Sequence, residues 1–308
     1  MTEKKKSSHL SVERLAEIRN VLEKLYVKYN HRRLVKPDPL QFLYRYSEPA
    51  DVEIVALLAS ALAYGRVQQI EKSLSRLFEH MGGSPCTFVR EFDLRKRAKL
   101  KDFKHRFTAG DDISDLLELL RDVCERFGSI EQFFVQGLDA DDTNIIPALT
   151  KFCDSLCTMY AERHNGRQSS GLKYLLASPA RGSACKRLNL FLRWMVRDDD
   201  VDPGPWRSVD KAKLIVPVDV HMGRLCKILG LYARKTVTLS AAVEITESFA
   251  EIEPADPVKY DFSLSRIGIV ENCDGGYRPT CNDCELLDFC GRREHEQEDL
   301  RKAPSVYV

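Results

Sequence analysis

The chain has 308 residues, of which 44% are hydrophobic, and its 47 Lys and Arg residues nearly balance its 46 Asp and Glu residues. This length and apolar content suffice for one large domain or two closely joined domains with a hydrophobic core. A net charge of +1 argues against a basic surface that covers the whole molecule. No apolar run approaches the roughly 20 residues that a membrane span needs.

The cysteine content and the first residues bear on location. Ten cysteines are present, and the N-terminal residues lack the apolar core of a secretory signal. Unpaired, reduced thiols are typical of intracellular proteins. We therefore expect a soluble, intracellular monomer, in the cytoplasm and nucleoid or in the nucleus, without membrane contact. We also expect disordered tails at residues 1–10 and 296–308.

Helical periodicity runs through most of the chain. Residues 49–65 predict a helix with Asp51 as N-cap and Gly65 at its end, and its centre, residues 54–63, is apolar nearly all round, so we expect it to be buried. No strand alternation and no repeat is evident, so we predict an all-α fold. Amphipathic helices are predicted at residues 11–30, 66–81, 112–127 and 143–163.

A basic run lies at residues 94–106, LRKRAKLKDFKHR, which contains seven Lys or Arg. Such a run is usually a solvated helix face, and phosphate binding is the alternative.

Residues 171–197, GLKYLLASPARGSACKRLNLFLRWMVR, predict a helix, a tight turn at 178–186, and a second helix. On the second helix we expect Arg187, Arg193 and Arg197 to lie away from the core. Backbone N–H groups at such a turn can hold a phosphate oxygen, although the turn could simply be a packing corner. The residues expected to face the core are Leu188, Leu192, Met195 and Val196.

Residues 214–231, LIVPVDVHMGRLCKILGL, place Asp219 where it would cap the start of a helix. His221 and Arg224 follow in the first turns of that helix.

Four cysteines follow in a C-x7-C-x2-C-x5-C pattern: Cys273, Cys281, Cys284 and Cys290. Four thiolates this close in sequence can bind one metal centre. Zinc ribbons usually pair two C-x2-C knuckles, and only one such pair occurs here, so the spacing favours a 4Fe-4S cluster. Zinc is the alternative metal. The cysteines could instead form structural disulfides.

The order of turn, capping Asp and cysteine loop resembles the helix-hairpin-helix DNA glycosylase superfamily, most closely its endonuclease III-like branch. VDVHMGRLCKILGL is similar to that branch's VDTHVxRxxxRLGL, and the cysteine pattern has one extra residue compared with its C-x6-C-x2-C-x5-C. The segment GSACKRLNLFLRWMVR is similar to the corresponding segment of an uncharacterised subfamily within that superfamily, whose members have no assigned substrate. The likeness covers roughly residues 48–92 and 171–292.

The resemblance implies a two-lobed, all-α fold with a C-terminal four-cysteine cluster loop. Residues 49–210 would form a helical domain that carries the turn at 178–186. Residues 11–48 would pack with a C-terminal lobe at 215–295, which contains the cluster loop at 273–290. Asp219 would lie in the cleft between the lobes and face the turn.

The resemblance also implies an activity, that of a DNA-repair N-glycosylase that flips a damaged or mismatched base from double-stranded DNA and hydrolyses its bond to the sugar. Asp219 would stabilise the sugar cation and accept a proton from water. Bifunctional relatives carry a lysine nucleophile where this chain has Ala184, so a monofunctional hydrolase is implied. The alternative is a catalytically inactive DNA- or RNA-binding module of the same fold.

The resemblance further implies residues that contact nucleic acid. Leu62 occupies a position where related enzymes often carry a Gln that fills the gap left by the flipped base. Tyr64 could stack on a base, with buried packing as the alternative reading. A basic surface beside the cluster loop would come from Arg278, Arg292 and Arg293. The implied nucleic-acid-binding residues are Arg181, Gly182, Ser183, Lys186, Arg187, His221 and Arg224.

Overall fold

The structure, a computed structural model, describes residues 10–234, 236–269, 273 and 279–290. These residues are predominantly helical, which confirms the all-α prediction at the level of fold class. Among them, no helix has both the length and the apolar character that crossing a bilayer requires. Arg278, Arg292 and Arg293 lie outside the described residues, as do the predicted tails apart from Leu10.

Thirteen α-helices, five short 3-10 helices and one strand pair are present in the described part of the chain. The α-helices are α1 (Val12–Tyr29), α2 (Pro49–Ala61), α3 (Val67–Met81), α4 (Pro85–Arg90), α5 (Leu94–Leu100), α6 (Gly110–Phe127), α7 (Ile130–Val135), α8 (Ile146–Arg163), α9 (Ser170–Leu175), α10 (Lys186–Val196), α11 (Val220–Ile228), α12 (Leu239–Ile252) and α13 (Asp261–Ile269). The 3-10 helices are Arg32–Leu34, Pro39–Arg45, Pro179–Arg181, Lys211–Lys213 and Pro279–Asp283. The strands are β1 (Lys104–His105) and β2 (Thr108–Ala109), which pair antiparallel.

The chain divides into two compact units. The first comprises the described parts of Met1–Asn30 and Val218–Val308, and the second is His31–Pro217. Residues 31–48 therefore fall in the second unit, whereas the resemblance implied that they pack with the C-terminal lobe. The physical reason is apolar burial: Phe42 is buried in the 3-10 helix Pro39–Arg45, and its ring centroid lies 5.5 Å from that of Phe78 on α3.

The centre of the second unit is α2, whose residues from Asp51 to Ala61 are all buried. The prediction of a buried helix is confirmed, but the prediction that Asp51 is its N-cap is wrong. The helix begins at Pro49, a residue suited to the first helical position. Asp51 instead accepts hydrogen bonds from the Cys86 backbone N–H at 2.7 Å and the Ser84 hydroxyl at 3.1 Å.

A second buried carboxylate on α2, that of Glu53, serves the start of α7. It accepts hydrogen bonds from the backbone N–H groups of Ile130 at 3.1 Å and Glu131 at 2.9 Å. The indole N–H of Trp206 donates a third bond at 2.6 Å. Burial raises the pKa of the Glu53 carboxyl above its ordinary value, and the three donors oppose that rise.

Glu53→Ala is expected to lower the free energy of unfolding by about 3 kcal/mol or more, because three donors lose their acceptor and each buried unsatisfied group costs about 1–3 kcal/mol. Urea denaturation of the purified chain measures the change. Glu91→Ala is the matched control, since Glu91 is exposed and pairs with Lys96 at the surface, and it should change stability by less than about 0.5 kcal/mol. Equal losses in both variants would contradict the capping role.

The basic run at 94–106 divides between α5 and β1. Arg97 on α5 forms ion pairs with Asp115 at 2.8 Å and Glu118 at 3.1 Å, so this cation is used within the unit. His105 on β1 is fully buried, and its ring nitrogens bond to the Ser73 hydroxyl at 2.9 Å and the Tyr64 carbonyl at 3.0 Å. The strand pair departs from the helical prediction because two-residue strands are too short to show sequence alternation.

Candidate functional site

The predicted helix–turn–helix at 171–197 is present, with the turn between α9 and α10. Ser178 caps the 3-10 helix Pro179–Arg181, and its hydroxyl accepts from the Ala180 N–H at 3.4 Å. Gly182 follows with a φ of +74°, a left-handed conformation that glycine adopts without strain. A Cβ on Gly182 would meet no atom within 4 Å, so the turn presents Gly182 to open space.

The backbone N–H groups of the turn are partly used within it. Arg181 donates to the Ser178 carbonyl at 3.2 Å, Gly182 to the Pro179 carbonyl at 2.8 Å, and Cys185 to the Ser183 hydroxyl at 3.2 Å. The N–H groups of Ser183 and Ala184 donate to no acceptor in the described structure. An incoming anion could therefore accept hydrogen bonds from these two groups. The side chain of Arg181 is exposed and Lys186 is half-exposed beside them.

Arg187 forms hydrogen bonds within the second unit. Its guanidinium donates to the Ala61 carbonyl at 2.6 Å and to the Tyr174 carbonyl, which ties the end of α2 to α9. It also lies over the rings of Tyr64, at 5.2 Å, and Tyr174, at 4.8 Å. Burial lowers the pKa of Arg187 from its ordinary value. A nucleic-acid contact for Arg187 stays a prediction, and the observed contacts are structural.

The prediction that Arg193 and Arg197 lie away from the core is wrong. Their exposures are 2% and 3%, and both bind Asp202, whose exposure is 0%. Arg193 Nη2 lies 3.1 Å from Asp202 Oδ1, and Arg197 Nη1 lies 2.5 Å from Asp202 Oδ2. The loop after α10 folds back along the helix, where the Gly204 N–H donates to the Trp194 carbonyl at 3.1 Å. This return covers a helix face that helical periodicity alone assigns to solvent.

Asp219, in the first unit, is the N-cap of α11, as predicted. Its Oδ1 accepts from the backbone N–H groups of His221 and Met222, both at 2.9 Å. The residue is half-buried. The fully buried Cys226 lies nearby, and its thiol pKa is raised first by burial and then by the charges of Asp261 and Asp219.

His221 and Arg224 occupy different surroundings on α11. His221 is exposed and lies against Gly268 of α13, where an added Cβ would be 3.7 Å from the His221 Cβ. Arg224 is half-buried and its Nη1 donates to the Cys273 carbonyl at 3.0 Å. Arg224 therefore connects α11 to the first cysteine of the predicted cluster loop. The nucleic-acid contacts predicted for both residues stay predictions.

All four cysteines of the cluster pattern are described, and each is half-exposed. The Cys284 N–H donates to the Cys281 carbonyl at 3.1 Å, and Cys290 donates to the Leu286 carbonyl at 3.0 Å. Burial raises the pKa of Cys284, and nearby Glu285, Cys273 and Cys281 raise it further. Cysteine thiolates are donors of the type that a soft metal or an iron–sulfur cluster takes.

The described residues do not, however, bring three or more His, Cys, Asp or Glu side chains into a group that could hold a metal ion. Residues 270–272 and 274–278, which flank Cys273, lie outside the described residues. The four cysteines suit the predicted cofactor by residue type, and the cofactor itself stays a prediction. Contacts with α1 hold the far end of the segment: Lys28 Nζ lies 2.6 Å from Glu285 Oε1, and the Arg14 guanidinium lies 4.2 Å from the Phe289 ring.

Sequence reasoning missed an aromatic cluster at the turn between β1 and β2. Phe107 is 72% exposed there, and its ring lies 6.0 Å from that of Tyr174 in an edge-on arrangement. Tyr174 in turn lies 5.2 Å from Tyr64, and the Arg106 guanidinium lies 5.4 Å from the Phe107 ring. Exposed aromatic rings beside arginines are typical of surfaces that stack unpaired bases. The available signal was a phenylalanine directly after the basic run.

Leu62 and Tyr64, two residues singled out in the sequence, lie at the end of α2. Leu62 is fully buried. Tyr64 is half-exposed, and its hydroxyl donates to the His105 carbonyl at 2.8 Å. Leu62 is thus a packing residue in this structure, and Tyr64 combines packing with a place at the edge of the aromatic cluster.

The model of one protein family, described as a protein of unknown function (DUF2400), matches residues 38–270. The match includes the turn at 178–186 and Asp219, and it ends before Cys273. No curated protein and no solved structure matches the chain.

Proposed function

We propose that this chain, which belongs to the DUF2400 family of proteins of unknown function, is a monofunctional DNA N-glycosylase. It would flip a damaged or mismatched base out of double-stranded DNA and hydrolyse the bond between that base and its sugar. The proposal combines the sequence resemblance with the surroundings of Asp219 and of the turn at 178–186.

The observation that carries the proposal is how Asp219 is held by hydrogen bonds and how far it is buried. Its Oδ1 is fixed by two backbone N–H donors at 2.9 Å, and the residue is half-buried. Loss of a base gives the sugar oxocarbenium character, and a carboxylate held in place stabilises that charge without reorganising. The same carboxylate can accept the proton of the attacking water.

The turn at 178–186 would supply a phosphate contact for the same DNA. The Ser183 and Ala184 N–H groups, together with the exposed Arg181 side chain, are suited to phosphate oxygens. Ala184 stands where a Schiff-base enzyme needs an amine, so the reaction would stop at an abasic site with an intact strand.

A panel of duplexes tests the activity, each carrying one damaged or mismatched base. The expected result is release of a free base, measured by mass spectrometry, with strand cleavage only after alkali treatment. A panel that includes deaminated, alkylated, oxidised and mismatched bases and yields no free base from any duplex would refute the glycosylase proposal.

A second candidate function is nucleic-acid binding without chemistry, to DNA or RNA. The burial of Leu62 favours it, because the residue that would fill the gap left by a flipped base is used in packing. The exposed Phe107 and Tyr174 would then stack unpaired bases. Salt-dependent binding with no turnover, and with equal affinity in the wild type and Asp219→Asn, would support this candidate.

We further propose that Cys273, Cys281, Cys284 and Cys290 hold a 4Fe-4S cluster, with zinc as the alternative. The role would be structural, since metal–thiolate bonds can order a segment that has few apolar residues. When bound, the cluster would fix the loop that Arg224 already contacts through the Cys273 carbonyl.

Cys284→Ser is expected to remove most of the bound iron and to lower the melting temperature, because one of four thiolate ligands is lost. Iron, sulfide and zinc analysis of anaerobically purified protein measures the first effect, and thermal unfolding measures the second. Cys157→Ser, which changes a half-exposed thiol on α8, is the control and should retain all metal. Full retention of iron in Cys284→Ser would contradict its ligand role, and stoichiometric zinc in the wild type would select the alternative.

A further inference from the structure

A basic cavity of about 430 Å³ lies near the start of the second unit. Its wall includes four cationic side chains, from Arg32, Arg33, Lys36 and Arg45, together with Gln41 and Tyr44. All four cations are exposed. None of them forms an ion pair with a carboxylate in the described structure. Such a concentration of unneutralised charge is unusual in a chain whose net charge is only +1.

Gln41 provides an independent sign that the cavity binds a ligand. It is 9% exposed, and its Nε2 has no hydrogen-bond acceptor in the described part of the chain. A buried amide donor without a partner costs free energy, and native structures contain few of them. An oxygen-rich ligand in the cavity would provide the missing acceptor.

Aromatic rings orient two of the arginines. The Arg32 guanidinium lies 3.9 Å from the centroid of the Tyr44 ring, and the Arg45 guanidinium lies 4.3 Å from that of Phe42. Stacking on a ring fixes the plane of a guanidinium while leaving its N–H groups available. The rings therefore orient the guanidinium groups of Arg32 and Arg45 without accepting hydrogen bonds from their N–H groups.

Two nearby carboxylates are bound to the backbone. Asp200 accepts from the Arg32 backbone N–H at 3.2 Å and contacts the His31 ring at 3.3 Å. Asp38 accepts from the Leu40 N–H at 3.0 Å as the cap of the 3-10 helix that carries Gln41. Neither carboxylate lines the cavity.

We propose that this cavity binds a phosphate group, either on a nucleic-acid backbone or on a free nucleotide. Guanidinium forks match the geometry of phosphate oxygens, and the amide of Gln41 adds a neutral donor. A backbone source would deepen the proposed function, because the cavity would be a second phosphate contact besides the turn at 178–186. The phosphate chemistry itself does not depend on glycosylase activity.

The test compares the wild type with a double variant, Arg33→Ala with Arg45→Ala, and with Arg126→Ala as a charge-matched control. Arg126 is exposed at the end of α6 in the same unit. Calorimetry with inorganic phosphate and with a nucleoside diphosphate measures binding of free phosphates. Fluorescence anisotropy with a lesion-free duplex, repeated over a range of salt concentrations, measures binding of the backbone.

Backbone binding predicts at least a tenfold loss of duplex affinity in the double variant, with the salt slope reduced by about two and no effect in the control. If the site binds free nucleotides, the double variant should lose at least tenfold in affinity for the nucleoside diphosphate, while its affinity for the duplex should not change. Unchanged affinity for all three probes overturns the proposal. Equally tight binding of poly-glutamate would overturn the assignment to phosphate.

Gln41→Leu separates a binding role from a structural one. Removing an unpaired amide is expected to raise the melting temperature by about 2–4 °C, while phosphate or duplex affinity falls several-fold. A rise in melting temperature with unchanged affinity would show that Gln41 takes no part in binding. A chain that binds phosphate here but releases no base would refute the proposed function and leave this site intact.

Discussion

Asp219→Asn is expected to lower the rate of base release from the best substrate by about 10²–10⁴-fold while leaving duplex affinity within twofold of the wild type. The neutral amide can neither stabilise a sugar cation by charge nor accept a proton from water, and a positioned general base contributes about 10²–10⁴-fold. Single-turnover kinetics with saturating protein isolate this step from product release.

The same variant should fold as well as the wild type. Asn is as good an N-cap as Asp, and its side-chain oxygen can accept from the His221 and Met222 N–H groups that Oδ1 accepts from now. Thermal unfolding of the variant should therefore be close to that of the wild type. A loss of activity would then be attributable to the missing charge.

Asp93→Asn is the matched control for this substitution. Asp93 caps α5 in the same manner, with its Oδ1 accepting from the Lys96 N–H at 2.8 Å, and it lies in the second unit. Its conversion to Asn should leave base release unchanged. Undiminished release in Asp219→Asn, or equal losses in the two variants, would show that Asp219 serves only as a cap.

Features that depend on residues close together in sequence were predictable. The apolar stretch that follows Pro49 gave a buried helix, and the residues around Gly182 gave a turn between two helices. Asp219 was recognised as an N-cap because its hydrogen-bond partners are two and three residues away. In each case the deciding physical chemistry lies within one or two helical turns.

Features that depend on distant residues were not predictable. Asp51 accepts a hydrogen bond from the first turn of a different helix, where Cys86, 35 residues later, provides the N–H. Arg187 bonds to a carbonyl 126 residues earlier, at Ala61. Helical periodicity can say which face of a helix is polar, but it cannot say whether a returning loop will cover that face, as happens to Arg193 and Arg197.

The candidate nucleic-acid surface also combines features that were predictable from nearby residues with features that depend on distant residues. The glycine of the turn was visible in sequence, whereas the aromatic cluster required Phe107, Tyr174 and Tyr64 to come together from three separate elements. The strand pair that presents Phe107 is too short to leave a periodic signal. The basic cavity likewise depends on how the 3-10 helix Pro39–Arg45 packs, since the unpaired amide of Gln41 is evident only from burial.

Asp202→Ala is expected to lower the free energy of unfolding by about 3–5 kcal/mol, because it leaves two buried guanidinium groups without their shared carboxylate. Arg193 and Arg197 both bind Asp202, and the three residues have exposures of 3% or less. Chemical denaturation gives the loss directly. Asp198→Ala is the control, since Asp198 pairs with Arg207 at the surface and its loss should cost less than about 1 kcal/mol.

A triple variant identifies the cause of that loss. Replacing Asp202 with Leu, Arg193 with Met and Arg197 with Leu removes all three charges at once, and apolar replacements of buried ion pairs are often neutral or stabilising. Stability close to that of the wild type would show that the cost of Asp202→Ala comes from the buried guanidinium groups that lose this carboxylate. If the triple variant is as unstable as Asp202→Ala, the network is instead needed for the loop to fold back along α10, the helix that follows the turn at 178–186.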